Sequence, residues 1–217
     1  MRKHPLVKGS VYHVFTKSIS GYRIFRYPRD YNRFLEMFRF YRYENPPTRF
    51  STYLEIKDKD GFHQRHFSER DHIVEIIAYC VMPTHIHFVL KQLKDNGISI
   101  FMKNILDSYT RYFNVKNKRK GPLWQGRFKS VLVDDDEQLL HLTRYIHLNP
   151  TSDDLAEKPE DWKYSSYNEY LGESEDGICN CSEYMEMGPD EYRRFVESRK
   201  DYQKSLNILK HHLTCTS

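Results

Sequence analysis

Two groups of residues in this 217-residue chain have types and spacings suited to chemistry. The first is His85-Ile86-His87. On a strand, residues i and i+2 share a face, so the two imidazoles project together while Ile86, Phe88 and Leu90 turn to the other side. Paired imidazoles are a ready set of nitrogen ligands for a divalent ion. Eleven histidines make one chance pair unsurprising, and a solvated strand face would give the same pattern. The flanks argue for more. An apolar run, Pro83 and a second apolar run place the pair in mid-sheet, where two histidines are costly unless satisfied. The second group is His141, Tyr145 and Asn149, at i, i+4 and i+8 of a helix, on a stripe separate from Leu139, Leu142 and Ile146. A phenol of pKa about 10 is a poor nucleophile without a metal or base. An ion on His85 and His87, completed by the amide oxygen of Asn149, could polarise a phosphate beside Tyr145. By spacing alone, a tyrosine on an amphipathic helix is more often packing than catalysis.

The elements that must position these groups follow from periodicity. Residues 11–19 are β-branched and aromatic and predict a first strand. Residues 30–44 carry Phe34, Met37, Phe38 and Tyr41 on one helical stripe, stopped by Pro46-Pro47. Residues 46–70 read as a hairpin insertion, with a strand over 50–56 and a turn at Asp58-Lys59-Asp60-Gly61. Residues 72–82 predict a strand buried on both faces, and 85–91 the next strand. A long amphipathic helix spans 98–115, and a further strand 127–133. Asp134–Glu137 place negative charge at the start of a third helix, as capping and the helix dipole favour. That helix runs to Pro150, leaving Asn149 at its end. The order predicts an α+β fold, an antiparallel sheet covered on one face by helices. Residues 172–190 read as an acidic loop and 190–213 as a polar helix, a C-terminal helical extension. The expected division is a functional unit at 1–171 and an acidic extension at 172–217.

Charge is unevenly spread. Residues 1–152 hold 26 Lys and Arg against 15 Asp and Glu, whereas residues 153–217 hold 8 against 15. A basic body with an acidic tail fits a polyanionic partner such as nucleic acid, although a merely soluble basic surface would look alike. Seventeen tyrosines offer base-stacking surfaces. Lys116, Lys118, Arg119 and Lys120 form a basic loop suited to phosphate contact, and Arg127 and Lys129 alternate on a strand that can face a DNA backbone. Trp124 can stack on a base or plug the space between helix and sheet. Tyr109 and Tyr112 are rival nucleophiles by type, but their apolar stripe argues for packing. Mean hydropathy is −0.78, no segment approaches a membrane span, and no apolar signal core follows Met1. Four scattered cysteines give no disulfide framework, and a cytoplasmic location is the expectation.

Four motifs then bear a resemblance. Met82-Pro83-Thr84-His85-Ile86-His87 resembles the His-hydrophobic-His motif of HUH-type single-tyrosine transposases. Gly121-Pro122-Leu123-Trp124-Gln125-Gly126-Arg127-Phe128, Arg144-Tyr145-Ile146-His147-Leu148-Asn149-Pro150 and Trp162-Lys163-Tyr164-Ser165-Ser166-Tyr167 are similar to segments of the REP-associated tyrosine transposase branch, in the family's order. The resemblance implies a ferredoxin-like antiparallel sheet with helices packed on it. It implies His85, His87 and Asn149 as ligands of Mg²⁺ or Mn²⁺, and Tyr145 as the nucleophile on single-stranded or hairpin DNA. A 5′-phosphotyrosine link and a free 3′-OH would result, with the protein a monomer or homodimer. Thr84 departs from the family's usual Asn, which bears on hydrogen bonding around His85. Two rivals stand beside this reading: a domesticated, non-catalytic binder of structured DNA or RNA, and a metal-dependent hydrolase with no covalent intermediate. The hydrolase would need a further acid or base, for which His141 and His147 are the candidates.

Overall fold

The computed structural model describes residues 5–67, 72–174 and 177–203. Strand β1 (Val11–Lys17) is followed by helix α1 (Pro28–Tyr41), two short helices α2 (Phe50–Glu55) and α3 (Lys59–His66), and strands β2 (Val74–Val81) and β3 (His85–Gln92). Helix α4 (Gly97–Lys116), strand β4 (Lys129–Val133), helix α5 (Asp136–Ser152), helix α6 (Tyr167–Tyr170) and helix α7 (Pro189–Glu197) complete the chain. The four strands form an antiparallel sheet in the order β2-β3-β1-β4, the ferredoxin-like arrangement. The pair-bearing strand β3 is interior, as its apolar flanks predict.

Alternation sorts the sheet into two faces. Tyr12, Val14, Ile86, Phe88 and Leu90 join the core formed with Phe34 and Phe38 of α1 and Phe101, Ile105 and Tyr109 of α4. Gly97 opens α4 where a Cβ would lie 2.1 Å from the Ile73 carbonyl oxygen, so only glycine lets that helix start so close to the sheet. The second face is not bare, contrary to the expectation of one covered face. Ile77, Cys80 and Val89 pack with Ile146 and Leu148 of α5, Tyr167 and Tyr170 of α6, and Tyr192 and Val196 of α7. Helices α5 and α6 supply most of this cover and α7 of the acidic extension adds to it, with apolar residues too sparse in that extension to announce it. The expected helix at 190–213 is present as α7 and residues 200–203; residues 204–213 lie outside the described residues.

Two local expectations are corrected. Residues 50–56 are not a strand, and the insertion is a pair of helices rather than a β-hairpin. Phe50 and Tyr53 stand at i and i+3 and pack on Phe40 of α1, so a helical period buries both. The expected turn is the start of α3, where the Asp58 side chain accepts from the Gly61 N–H at 2.9 Å. Residues 68–70 of the insertion lie outside the described residues. Helix α5 also does not end before Pro150 but runs through it to Ser152. Proline removes the N–H that would meet the Ile146 carbonyl. The Asn149 side-chain amide replaces it, donating to Tyr145 O at 2.9 Å and Ile146 O at 3.4 Å.

Asp30 ties α1 to α4. Its buried carboxylate accepts from the backbone N–H of Arg26 and Tyr27 at 3.2 Å and from the Tyr112 hydroxyl at 2.7 Å, and it pairs with Lys116. Burial raises its pKa, but the Lys116 and Tyr112 bonds and the Arg26 N–H outweigh that and lower it from 3.8. A depressed carboxylate adds stability above its unfolded pKa, and loses it as pH falls through the folded value. Asp30→Ala is therefore expected to destabilise the fold by about 3–5 kcal/mol at neutral pH, because it leaves Lys116 partly buried without a counter-charge. Urea titrations should show the gap between wild type and variant closing below pH 4; a gap that stays constant down to pH 2 would contradict this account.

Candidate active site

The register places Cys80, His87, Phe15 and Lys129 side by side in one row across all four strands. His85 and Lys17 form the next row, and His13 precedes Phe15 on the same face. His85 and His87 therefore do project together, on the face covered by α5, with ring centroids 5.1 Å apart and planes nearly perpendicular. Tyr145 of α5 meets His87 edge-on at 5.9 Å and His13 at 6.4 Å. Asn149 lies one turn further along α5, 4% exposed, its amide nitrogen fixed by the two carbonyls named above.

Each imidazole of the pair is held by its Nδ1. His87 Nδ1 lies 3.0 Å from Nε2 of His13, and His85 Nδ1 lies 3.0 Å from Oγ1 of Thr84. Both Nε2 atoms are thereby left for another partner, with tautomers assigned from these contacts. Burial lowers His13 and His85 to about 4, Lys17 adding to the effect at His85. Burial, then the neighbouring His85 and His13, holds His87 well below its usual value. All three rings are thus neutral near pH 7, the form that binds metal. Among the described residues no cluster of three or more His, Cys, Asp or Glu has metal-holding geometry. Paired neutral imidazoles suit several divalent ions.

The tyrosines separate cleanly. Tyr109 is fully buried against the other face and donates to Ile24 O at 2.9 Å; Tyr112 donates to Asp30 at 2.7 Å. The Tyr145 hydroxyl makes no hydrogen bond among the described residues. Its pKa is raised by burial and then by Asp153, so it needs help to ionise.

A cleft of about 530 Å³ is lined by Phe15, Lys17, His85, His87, Gln125, Arg127 and Lys129. A neighbouring hollow of about 1020 Å³ shares Phe15, Gly126, Arg127 and Lys129 with it. Gly126, at φ +141°, turns the chain into β4 and so sets Arg127 and Lys129 at the rim. The other expected DNA-contact residues lie apart. Lys116 is paired with Asp30. Arg119 staples its own loop through Asn114 Oδ1 at 3.0 Å and Pro122 O at 2.6 Å, with Lys118 and Lys120 exposed beside it. Trp124 is 9% exposed and donates to Thr110 Oγ1 at 3.1 Å, a plug between α4 and the sheet. His141 is exposed beside Arg144, and His147 is enclosed between Ser166 and Tyr192, so neither lines the cleft. The sequence reading missed His13, Lys17 and Gln125. His13 and Lys17 alternate on β1 with the right parity, but only the register with β3 shows that they meet the pair.

The segment that carries the histidine pair and Tyr145 is similar to one class of protein, the IS200-like transposases. Residues 62–149 match the family model described as "Transposase IS200 like". Within that class the resemblance is to the REP-associated branch. The chain is 32% identical over 105 residues to a putative REP-associated tyrosine transposase of Haemophilus influenzae, covering 43% of this chain and 59% of that protein. It is 27% identical over 101 residues to the REP-associated tyrosine transposase of Escherichia coli, covering 46% of this chain and 58% of that one. The match thus spans under two thirds of each relative's length. A solved REP-associated tyrosine transposase bound to a REP hairpin shares the fold, with a TM-score of 0.51, 18% identity, and 79% of this chain and 85% of that chain covered. Among the described residues no helix is long and apolar enough to cross a membrane.

Proposed function

We propose that this chain is a single-tyrosine DNA strand transferase, cutting and rejoining single-stranded DNA at hairpin or repeat ends. The observation that carries this reading is the convergence of Tyr145 on the His85–His87 pair, across the boundary between α5 and the sheet. His85, His87 and Asn149 would hold a divalent ion, which when bound polarises the scissile phosphate and lowers the cost of ionising a nearby phenol. Lys17, Arg127 and Lys129 line the same cleft and position the phosphodiester backbone. Tyr145 Oη forms the bond to phosphorus as the bond to the 3′-oxygen breaks. The electron pair leaves with that oxygen, which gains a proton while the phenol loses one. The covalent link conserves the phosphodiester, and a second 3′-OH resolves it without an external energy source. Residues 1–171 are the proposed catalytic unit, and α7 of the acidic extension packs on it. The hairpin in the related complex supports the choice of substrate class.

The test is covalent trapping with 5′- and 3′-labelled hairpin oligonucleotides, with Mn²⁺ or with chelator. A denaturation-resistant adduct carrying the DNA 3′ of the cut, present only with metal, is expected. Binding without adduct across a broad hairpin set would favour the domesticated binder, and cleavage without adduct the hydrolase.

His13 is proposed as a positioning residue for His87, since their contact selects the nitrogen left for the ion. His13→Phe is expected to weaken Mn²⁺ binding about 10–100-fold, the usual cost of losing a hydrogen-bond partner behind a ligand. His13→Gln should recover much of it. Equal Mn²⁺ affinities in wild type and His13→Phe, read by electron paramagnetic resonance, would sink the idea.

A further inference from the structure

Helices α1, α2 and α4 enclose a groove of about 870 Å³ whose lining includes Arg33, Arg49, Arg111, Thr48, Ser51 and Ser108. It lies behind the sheet, because α1 and α4 cover the face opposite His85 and His87. None of its three arginines pairs with a carboxylate among the described residues. Arg33 is the informative one. Its guanidinium sits 4.5 Å from the Tyr112 ring and 5.4 Å from the Phe50 ring, and its buried Nε has no hydrogen-bond partner. Burial also lowers its pKa. A half-buried guanidinium held between two rings, with no carboxylate to balance it, is a group that an anion in the groove would complete. Arg49 and Arg111 are exposed on either bank. Guanidinium groups with hydroxyls between them match the spaced phosphates of a nucleic-acid backbone, and aromatic stacking holds the guanidinium plane for that contact.

We infer that this groove is a second DNA-backbone site, built by the helical insertion, which grips phosphates flanking the segment held in the histidine cleft. The inference rests on the proposed action on DNA and assigns the insertion a role. Because the groove and the cleft lie on opposite sides of the sheet, only DNA with long flanks reaches both.

The test is fluorescence anisotropy with two hairpin oligonucleotides, one with minimal flanks and one with long single-stranded flanks, across a salt series. The variant is Arg49→Glu with Arg111→Glu, and the matched control is Lys57→Glu with Lys163→Glu, all four exposed. Circular dichroism melts verify folding. For the long oligonucleotide the groove variant is expected to bind about 10-fold or more weakly, its salt slope reduced by about 1.4, as two lost phosphate contacts on a single strand require. The short oligonucleotide should bind as in wild type. Undiminished binding of the long oligonucleotide, or an equal loss in the control pair, overturns the groove. Wild-type protein that binds neither oligonucleotide overturns the DNA reading and this inference with it.

Discussion

Tyr145→Phe is expected to lose the covalent adduct by about 10³-fold or more while leaving stability within about 0.5 kcal/mol of wild type. The two halves follow from one observation. The Tyr145 ring packs edge-on against His87, whereas its hydroxyl has no hydrogen-bond partner among the described residues. Phenylalanine keeps the ring and removes only the oxygen, so the fold has little to lose and the nucleophile is gone. Hairpin binding should survive, since Lys17, Arg127 and Lys129 are untouched. Trapping gels read the adduct, and urea midpoints read stability. An adduct of normal yield in the variant would move the nucleophile elsewhere. Tyr109 and Tyr112 are poorly placed to inherit the role, being bonded on the far face.

His147→Ala is expected to do the reverse, costing about 3–5 kcal/mol of stability with little effect on adduct formation per folded molecule. His147 is fully buried, with Nδ1 2.7 Å from the Tyr192 hydroxyl and Nε2 2.7 Å from Ser166 Oγ. Ser166 Oγ donates to Tyr79 O and accepts from Tyr79 N–H, so it takes the His147 Nε2–H, and Tyr192 donates to Nδ1. Alanine empties that space, leaves the Tyr192 hydroxyl on α7 without its acceptor, and takes one of three bonds from Ser166 Oγ beside β2. Thermal melts would record the loss. A variant that folds normally yet forms no adduct would instead make His147 a participant in the chemistry, as the hydrolase reading requires.

The arrangement of four strands and three long helices was legible because each carries its own period. Phe34, Met37 and Phe38 repeat as a helix, and Val74–Val81 is apolar but for Glu75, as a strand covered on both faces must be. Residues 50–56 misled because Phe50, Tyr53 and Ile56 suit either period, and contact with Phe40 decides between them. Pro150 misled because a proline reads as a stop unless a neighbour satisfies the freed carbonyl, which Asn149 does. Of the candidate site, the pair and Tyr145 could be read from spacing and motifs. His13 could not, since its meaning depends on a strand register set 74 residues away. Lys116 and Arg119 looked available for DNA because sequence shows charge but not the partner that occupies it.

The edge of β2 has a consequence for self-association. Val81 N–H bonds Tyr164 O, Tyr79 exchanges bonds with Ser166, and Asn180 N–H bonds Ile76 O, so irregular chain occupies the outer rim of that strand. At the other rim, β4 spans five residues and, among the described residues, pairs only with β1. A sheet with both rims open can add copies end to end without limit, as fibrils do. With one rim sealed, two molecules joined β4 to β4 about a twofold axis would form a sixteen-ångström-scale seam, roughly five residues at about 3.3 Å each, and leave no rim to extend. Growth through sheet edges, were β4 to pair with a second copy, would stop at two.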